Sequence, residues 1–152
     1  MMIPETVCFD YRGTLVDHRT DGQIPGTAEL LDLLVKKKVR LAVVSRFPPY
    51  LLEERLGPLK AYFGKNVFSS SKGNKLNCIR AFAADIGCSD LSRICFVDDK
   101  TANLIPVARG SSVRVIGFAG SGKYPKTADA CKEAGIPFAA SAEDLTKLIL
   151  KT

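Results

Sequence analysis

Short apolar runs alternate with helix-like patterns along most of the sequence, and this alternation limits the fold more than any other feature. Runs that are apolar throughout are typical of strands buried on both faces, and strands that alternate with helices favour a parallel sheet. The sequence therefore predicts an α/β fold, a doubly wound parallel sheet with helices on both faces. Strands are expected at residues 6–9, 41–44, 67–68, 94–97 and 113–116, with a short last one at 137–140.

Helical patterns fill the intervals between these runs. The spacing of apolar residues and the positions of Pro and Gly predict helix boundaries. Ser141, with Asp144 three residues later, resembles a capping box and predicts a final helix. No linker, repeat or low-complexity tract divides the 152 residues, so residues 1–152 are interpreted as one domain in which 11–25 form a small flap. The other helices are expected at residues 27–38, 49–56, 76–86, 101–109 and 127–134.

The composition favours a soluble protein with anionic partners. Lys and Arg exceed Asp and Glu by 22 to 16, which gives a net charge of +6. The lysines are spread along the chain, and the run 36–38 lies where a helix ends, so a nucleic-acid partner is disfavoured. The five cysteines form no Cys-x-x-Cys pair, which indicates a reducing compartment. No secretion signal and no stretch of membrane-spanning length is recognised, so a cytoplasmic protein without a membrane partner is expected.

Polar residues with related chemistry follow four of the predicted strands. In a sheet of this kind, ligands bind beyond the carboxyl ends of the strands. Three carboxylates gathered at one site need a hard cation, and oxygen ligands of this type suit Mg²⁺, which also accepts phosphate oxygens. Lysine and serine can hold the other phosphate oxygens, so the set indicates phosphoryl transfer. The residues are Asp10 with the turn 11–14, Ser45 with Arg46, Lys72 and Lys75, and Asp98 with Asp99.

These motifs, in this order, resemble those of the haloacid dehalogenase (HAD) superfamily. Residues 9–15, FDYRGTL, are similar to its first motif, Asp-x-Asp-Gly-Thr-Leu. Residues 43–45, an apolar strand ending in serine, are similar to the second. A lysine supplies the third, and residues 94–99, ICFVDD, resemble the fourth. The resemblance covers nearly the whole chain and implies a HAD-like Rossmannoid core.

The resemblance also implies a role for each matching residue. Asp10 would be the nucleophile, and it would bind Mg²⁺ together with Asp98, Asp99 and the backbone carbonyl of Arg12. The third-motif lysine would pair with Asp10 and the phosphate. The phosphate-binding residues implied are Gly13, Thr14, Ser45, Arg46 and Lys75.

Two lysines compete for the third motif. Lys75 is followed at helical spacing by Ile79, Phe82 and Ala83, which matches the form in which the lysine directly precedes a helix. Lys72 matches the form in which the lysine lies in a loop. The spacing favours Lys75, and Lys72 is the alternative.

Arg12 departs from the first motif. In the phosphatases of this family that position holds an aspartate that acts as general acid and base, and arginine is permanently protonated. Arg12 would then bind an anionic group of the substrate, or pair with Asp10 and leave the site idle. Candidates for a replacement acid or base are His18, Asp17 and Tyr11, although a histidine in a polar loop is more often a solvated side chain.

Residues 117–123 nearly match the P-loop pattern Gly-x4-Gly-Lys-Ser/Thr after a predicted strand. Tyr124 stands where that pattern needs Ser or Thr, and Pro125 disrupts the helix start that would hold phosphate. A nucleotide-binding P-loop is therefore the weakest interpretation.

No cap domain is recognised between the motifs. In the HAD superfamily this implies an open site that takes a phosphorylated small molecule or macromolecule, or one covered by a neighbouring subunit of a homo-oligomer. The first functional hypothesis is a Mg²⁺-dependent phosphatase that works through an aspartyl-phosphate on Asp10. The alternative is a catalytically impaired HAD-like pseudoenzyme that binds a phosphorylated ligand or protein, which Arg12 favours.

Overall fold

The first apolar segment forms β1 (Thr6–Phe9) at the centre of a parallel sheet. The structure is a computed structural model that describes residues 3–69, 74–120 and 126–151. Its six strands lie in the order β3-β2-β1-β4-β5-β6. Because β1 pairs with β2 on one side and β4 on the other, the strand order reverses there, and such a switch point is where open α/β sheets bind ligands.

The observed elements agree with the predicted alternation. The remaining strands are β2 (Arg40–Ser45), β3 (Val67–Ser69), β4 (Ile94–Asp98), β5 (Arg114–Phe118) and β6 (Phe138–Ala139). The helices are α1 (Thr27–Lys36), α2 (Pro49–Leu56), α3 (Lys60–Phe63), α4 (Lys75–Asp85), α5 (Thr101–Gly110), α6 (Thr127–Ala134) and α7 (Ala142–Ile149).

Helices cover both faces of the sheet. Successive residues of a strand point to opposite faces. Val7 and Phe9 of β1 accordingly join a core with α1, α2, α3 and α7, whereas Cys8 joins a second core with α4, α5 and α6. The doubly wound α/β prediction is confirmed.

The chain between β2 and β3 differs from expectation at one point. The sequence predicts that Gly57 and Pro58 end the helical region, but a 3₁₀ turn (Gly57–Leu59) leads into α3. Leu59 and Phe63 are buried in the core, so their burial stabilises the continued helical path. Proline lies at the start of the turn, where its missing N–H costs no hydrogen bond.

Loop 11–25 is packed against the core along part of its length. Tyr11, Leu15, Val16 and Ile24 are buried. Val16 makes isolated bridges to Arg12 and Gln23. The apolar anchors therefore hold the loop beside the sheet edge, while residues 19–23 are exposed.

The connections in the described residues are too short to contain a cap domain. The chain passes from β1 to β2 through loop 11–25 and α1, and from β2 to β3 through α2 and α3. The predicted start of α7 at Ser141 is confirmed, since the Asp144 N–H donates to Ser141 Oγ (3.1 Å). Among the described helices, none combines the length and the apolar composition needed to cross a membrane.

Truncating a buried side chain of α4 should destabilise the fold. Ile79 is fully buried between α4 and the sheet, and we expect Ile79→Ala to lower the free energy of unfolding by about 2–5 kcal/mol because it leaves a cavity. Val35→Ala is the control, since Val35 is half exposed and should change stability by no more than about 0.5 kcal/mol. Urea unfolding measures both. Equal losses would contradict the packing of α4.

Candidate functional site

Polar residues from three strands and one helix meet at the carboxyl edge of the sheet. Asp10 directly follows β1, Ser45 ends β2, Asp98 ends β4 and Asp99 follows it. All four are buried. These side chains lie together because the parallel strands bring their carboxyl ends to one edge.

Lys75 connects two of these carboxylates. Its Nζ donates to Asp10 Oδ1 (2.6 Å) and to Asp98 Oδ2 (2.8 Å). Lys75 is the first residue of α4, whose N-terminus is capped by Asn74 through its side-chain oxygen. A cation at a helix N-terminus opposes the helix dipole, so the two carboxylates must compensate for its position there. The structure thus places Lys75 in the site, whereas Lys72 lies outside the described residues.

Asp98 is held by further hydrogen bonds. Its Oδ1 accepts from the Lys100 backbone N–H (2.9 Å), and its Oδ2 accepts from Asn103 Nδ2 (3.1 Å) as well as from Lys75. The start of α5 supplies both additional donors. With this many donors, Asp98 has a fixed orientation.

The three carboxylates form one acidic cluster. Asp10, Asp98 and Asp99 each offer an oxygen, and these oxygens lie within 4.8 Å of one another. Burial, followed by the charge of Asp98, raises the pKa of Asp10 well above its usual range. The same two causes raise the pKa of Asp99 to about 7. Burial disfavours the charged form of Lys75, but Asp10 and Asp98 outweigh it and raise the pKa of Lys75.

This cluster fits a hard divalent cation. Its donors are carboxylate oxygens, which Mg²⁺ and Ca²⁺ prefer. Asp99 Oδ1 is buried and has no hydrogen-bond partner among the described residues. Burial, and then the charge of Asp98, raises the pKa values of Asp10 and Asp99, and a cation would favour the ionised forms of both. The acidic cluster can therefore hold a metal ion.

His18 is buried beside the cluster, so the interpretation of its side chain as solvated is wrong. Its side chain is 6% exposed, and its Nε2 lies 2.8 Å from Asp99 Oδ2. Gly13 makes this approach possible: its φ is +89°, and a Cβ at this position would clash with both His18 and Asp99. Glycine is thus required at residue 13 for its backbone conformation and for space.

Arg12 pairs with Asp21 rather than with Asp10. Its Nη2 donates to Asp21 Oδ1 (3.1 Å), and Arg55 of α2 donates to the other oxygen (2.8 Å). Both guanidinium groups lie over the Phe47 ring, 5.4 Å and 5.9 Å from its centre. These contacts fix Arg12 at the edge of the site and leave Asp10 bound to Lys75.

The other two candidates for a replacement acid or base have structural roles. The Tyr11 hydroxyl donates to the Arg55 carbonyl oxygen (3.2 Å), and its ring packs on Phe47. Asp17 accepts hydrogen bonds from the backbone N–H groups of Arg19 and Thr20 within its own loop. Neither residue lines the described cavity.

A cavity of about 240 Å³ opens over these residues. Ser45 lies on its wall and accepts a hydrogen bond from the Phe47 N–H (3.2 Å) through Oγ. Gly13 and Thr14 lie outside the described lining, although both were expected to bind phosphate. Thr14 Oγ1 is buried without a partner among the described residues. The lining residues are Asp10, Arg12, His18, Ser45, Arg46, Phe47, Lys75, Lys100 and Asn103.

Sequence reasoning did not identify Lys100, Asn103 or Asp21 as part of the site or its support. Lys100 and Asn103 lie at the start of α5, directly after the acidic pair, and this proximity was the available signal. Asp21 was placed only in a polar loop, and its contact with Arg55 crosses 34 residues. No local pattern predicts a contact of that separation.

The P-loop-like segment begins within a strand. Gly117 and Phe118 belong to β5, and Gly117 packs so closely against Cys131 that a Cβ would clash. Residues 121–125, which include the lysine of that motif, lie outside the described residues.

Solved structures share this architecture. A HAD-superfamily hydrolase from Ehrlichia chaffeensis is 14% identical, with a TM-score of 0.76 over 98% of this chain and 97% of that one. A HAD family hydrolase from Deinococcus radiodurans R1, solved with bound phosphate and sodium, is 16% identical, with a TM-score of 0.82 over 99% of each chain.

A third similar structure is a cobalt-bound deoxy-D-mannose-octulosonate 8-phosphate phosphatase from Haemophilus influenzae. It is 15% identical, with a TM-score of 0.67 over 98% of this chain and 88% of that chain. No protein-family model and no curated protein matches the sequence. The chain has the fold of the HAD-superfamily hydrolases in a form without a cap domain.

Replacing Gly13 tests the close packing of Asp99 and His18. Gly13→Ala should cost more stability than Gly87→Ala, because both positions have positive φ but only Gly13 lacks space for a Cβ. The control should lose about 1–2 kcal/mol through backbone strain alone, and Gly13→Ala should exceed that loss measurably in urea unfolding. Equal effects would contradict the packing around Gly13.

A divalent cation should stabilise the fold through the acidic cluster. Titration with Mg²⁺ or Mn²⁺ should raise the melting temperature, since a ligand that binds only the folded state adds stability that grows with its concentration. Asp98→Asn should remove most of this increase. The control is Asp85→Asn, the same change at an exposed position on α4, and it should retain the increase in melting temperature. An unchanged increase in Asp98→Asn would place the cation elsewhere.

Proposed function

We propose that the protein is a HAD-superfamily hydrolase that cleaves phosphomonoesters with Mg²⁺ and forms an aspartyl-phosphate on Asp10. One observation carries the proposal: Lys75 joins Asp10 to Asp98 at the floor of a cavity whose wall contains Ser45. The similar structures support a phosphatase-type activity, since they are hydrolases and phosphatases of the same architecture.

In the first step, an oxygen of Asp10 attacks the phosphorus of the substrate. A bond forms between this oxygen and phosphorus, and the ester bond to the leaving oxygen breaks. The leaving alkoxide takes a proton from solvent water and departs as the alcohol. Lys75 orients Asp10 and has one N–H left to donate to a phosphate oxygen, and the Ser45 hydroxyl donates to another. Mg²⁺ bound by Asp10, Asp98 and Asp99 would neutralise charge on the transferring group.

In the second step, water attacks the aspartyl-phosphate and releases inorganic phosphate and free Asp10. A base that takes the proton from this water accelerates such a step by roughly 10²–10⁴-fold. Arg12 cannot act as that base, because its guanidinium group stays protonated. Arg12 also cannot supply the proton that the leaving alcohol needs in the first step, so we expect both steps of the proposed enzyme to be slow.

A second candidate function follows from the same residue. If no other group assists the water, the protein binds a phosphorylated ligand without releasing phosphate and is a pseudoenzyme. The Arg12–Asp21 pair favours this alternative, since it places a fixed cation at the position of the catalytic acid. The buried acidic cluster favours the enzyme, because its carboxylates are destabilised unless they have a cation to bind.

We also propose that the protein works in the cytoplasm. All five cysteines are free thiols, and three of them are buried. Free thiols are typical of proteins from reducing compartments.

Steady-state kinetics with p-nitrophenyl phosphate and Mg²⁺ separate the two candidate functions. We expect slow turnover that Asp10→Asn abolishes. Arg12→Asp should raise kcat by about 10²-fold or more, because it restores an acid and base. Arg12→Asn is the matched control, since it also loses the contact with Asp21 but supplies no acid.

Three other outcomes would change the conclusion. Activity that appears only in Arg12→Asp would support the pseudoenzyme. Turnover that survives in Asp10→Asn would contradict Asp10 as the nucleophile. If Arg12→Asn raises kcat as much as Arg12→Asp does, the gain does not come from a restored acid and base.

A further inference from the structure

We infer that the substrate carries a second anionic group beside its phosphate ester, and that Arg12 and Arg46 bind this group at the mouth of the cavity. The inference rests on the proposed function and names the substrate class for the same site. The second group is a carboxylate or another phosphate, since both accept the parallel N–H groups of a guanidinium.

The cavity has different chemistry at its floor and at its mouth. Asp10, Ser45 and Lys75 at the floor are buried. Arg46 at the mouth is exposed, and the Arg12 side chain is 38% exposed. A phosphate bound at the floor therefore leaves the rest of the substrate directed towards two guanidinium groups.

The floor is balanced in charge once a divalent cation is bound. The three carboxylates of Asp10, Asp98 and Asp99 are then matched by the cation together with the ammonium group of Lys75. The floor thus supplies hydrogen-bond donors and a metal for the ester phosphate without a large net charge of its own.

The mouth carries an excess of positive charge. Asp21 neutralises one of the two charges of Arg12 and Arg55, and Arg46 makes no ion pair with any described residue. Lys100 lines the same cavity. A phosphate ester brings a charge of about −1.5 to −2 at neutral pH, and at the floor it lies beside Lys75 and Ser45 rather than beside the guanidinium groups. A second anion on the substrate would pair with Arg12 and Arg46 at the mouth.

Arg12 is held ready to bind such an anion. Asp21 and the Phe47 ring fix its guanidinium group, and the Arg12 side chain is partly exposed towards the cavity that it lines. Arg46 Nη2 donates to the neutral Asn103 Oδ1 (3.5 Å), and Arg46 makes no ion pair within the part of the chain that the structure describes. A guanidinium that is already positioned loses little conformational entropy on binding.

The size of the cavity favours a compact substrate. Its volume of about 240 Å³ lies below the range of about 300–1,000 Å³ that is typical of sites for drug-sized ligands. A small phosphomonoester whose second anion lies a few bonds from the phosphorus fits both the volume and the charge.

Three probes with the same three-carbon skeleton test the inference. Glycerol 3-phosphate has no second anion, 3-phosphoglycerate carries a carboxylate, and glycerol 1,3-bisphosphate carries a second phosphate. With Mg²⁺, we expect kcat/KM to be roughly tenfold or more higher for at least one of the doubly anionic probes than for glycerol 3-phosphate. The better of these two probes identifies the second group.

Variants show whether the arginines cause this preference. Arg12→Gln and Arg46→Gln should each reduce the preference roughly tenfold, because each removes a charged hydrogen bond to the second anion. Lys147→Gln is the matched control: it changes the net charge equally, but Lys147 lies on α7 in an ion pair with Glu143 and does not line the cavity. It should leave the preference unchanged.

Binding to Asp10→Asn, measured by calorimetry with the same probes and Mg²⁺, keeps the two proposals distinguishable. A tighter complex with a doubly anionic probe but no turnover in the original protein would reject the phosphatase and retain the inference. Turnover that depends on Asp10 with equal kcat/KM for all probes would retain the phosphatase and overturn the inference. If Lys147→Gln weakens the preference for doubly anionic probes as much as Arg46→Gln does, the preference is an effect of net charge, and the inference is overturned.

Discussion

The contact of Lys75 with Asp10 and Asp98 is the interaction on which the site depends. It joins the central strand β1, the neighbouring strand β4 and the start of α4 at one point. Two buried carboxylates side by side are destabilising, and a buried ammonium group is also destabilising by itself. Together they compensate one another, but only if the sheet register and the start of α4 are both correct. The fold and the chemistry of the site are therefore coupled.

Lys75 does not compensate all of the negative charge. Asp99 lies beside Asp98, and its Oδ1 has no hydrogen-bond partner among the described residues. Burial and the charge of Asp98 raise the pKa of Asp99 to about 7, which is the expected response of a carboxyl near other carboxylates. A bound cation is the simplest way to stabilise the ionised cluster, and His18 at 2.8 Å from Asp99 helps to fix its orientation.

Arg12 gives this site its individual character. At a position where the phosphatases that the motifs resemble would have an acid, this chain has a cation fixed by Asp21 and by the face of Phe47. Loss of the acid slows the step that needs proton transfer, while the added charge suits an anionic ligand. In the proposed phosphatase Arg12 would therefore affect both the rate and the specificity, and Arg46, which lines the same cavity, would share the second role.

The sequence by itself determined the α/β alternation, most element boundaries and the acidic, serine and lysine positions, because each depends on local apolar periodicity or on a strand end. The sequence did not determine which charged side chains pair with one another. The contacts of Arg12 and Arg55 with Asp21, and of His18 with Asp99, join residues up to 81 positions apart. The continuation of helix after Gly57 also depends on burial of Leu59 and Phe63. Only the tertiary structure decided these features, since long-range packing and charge pairing leave no periodic pattern in the chain.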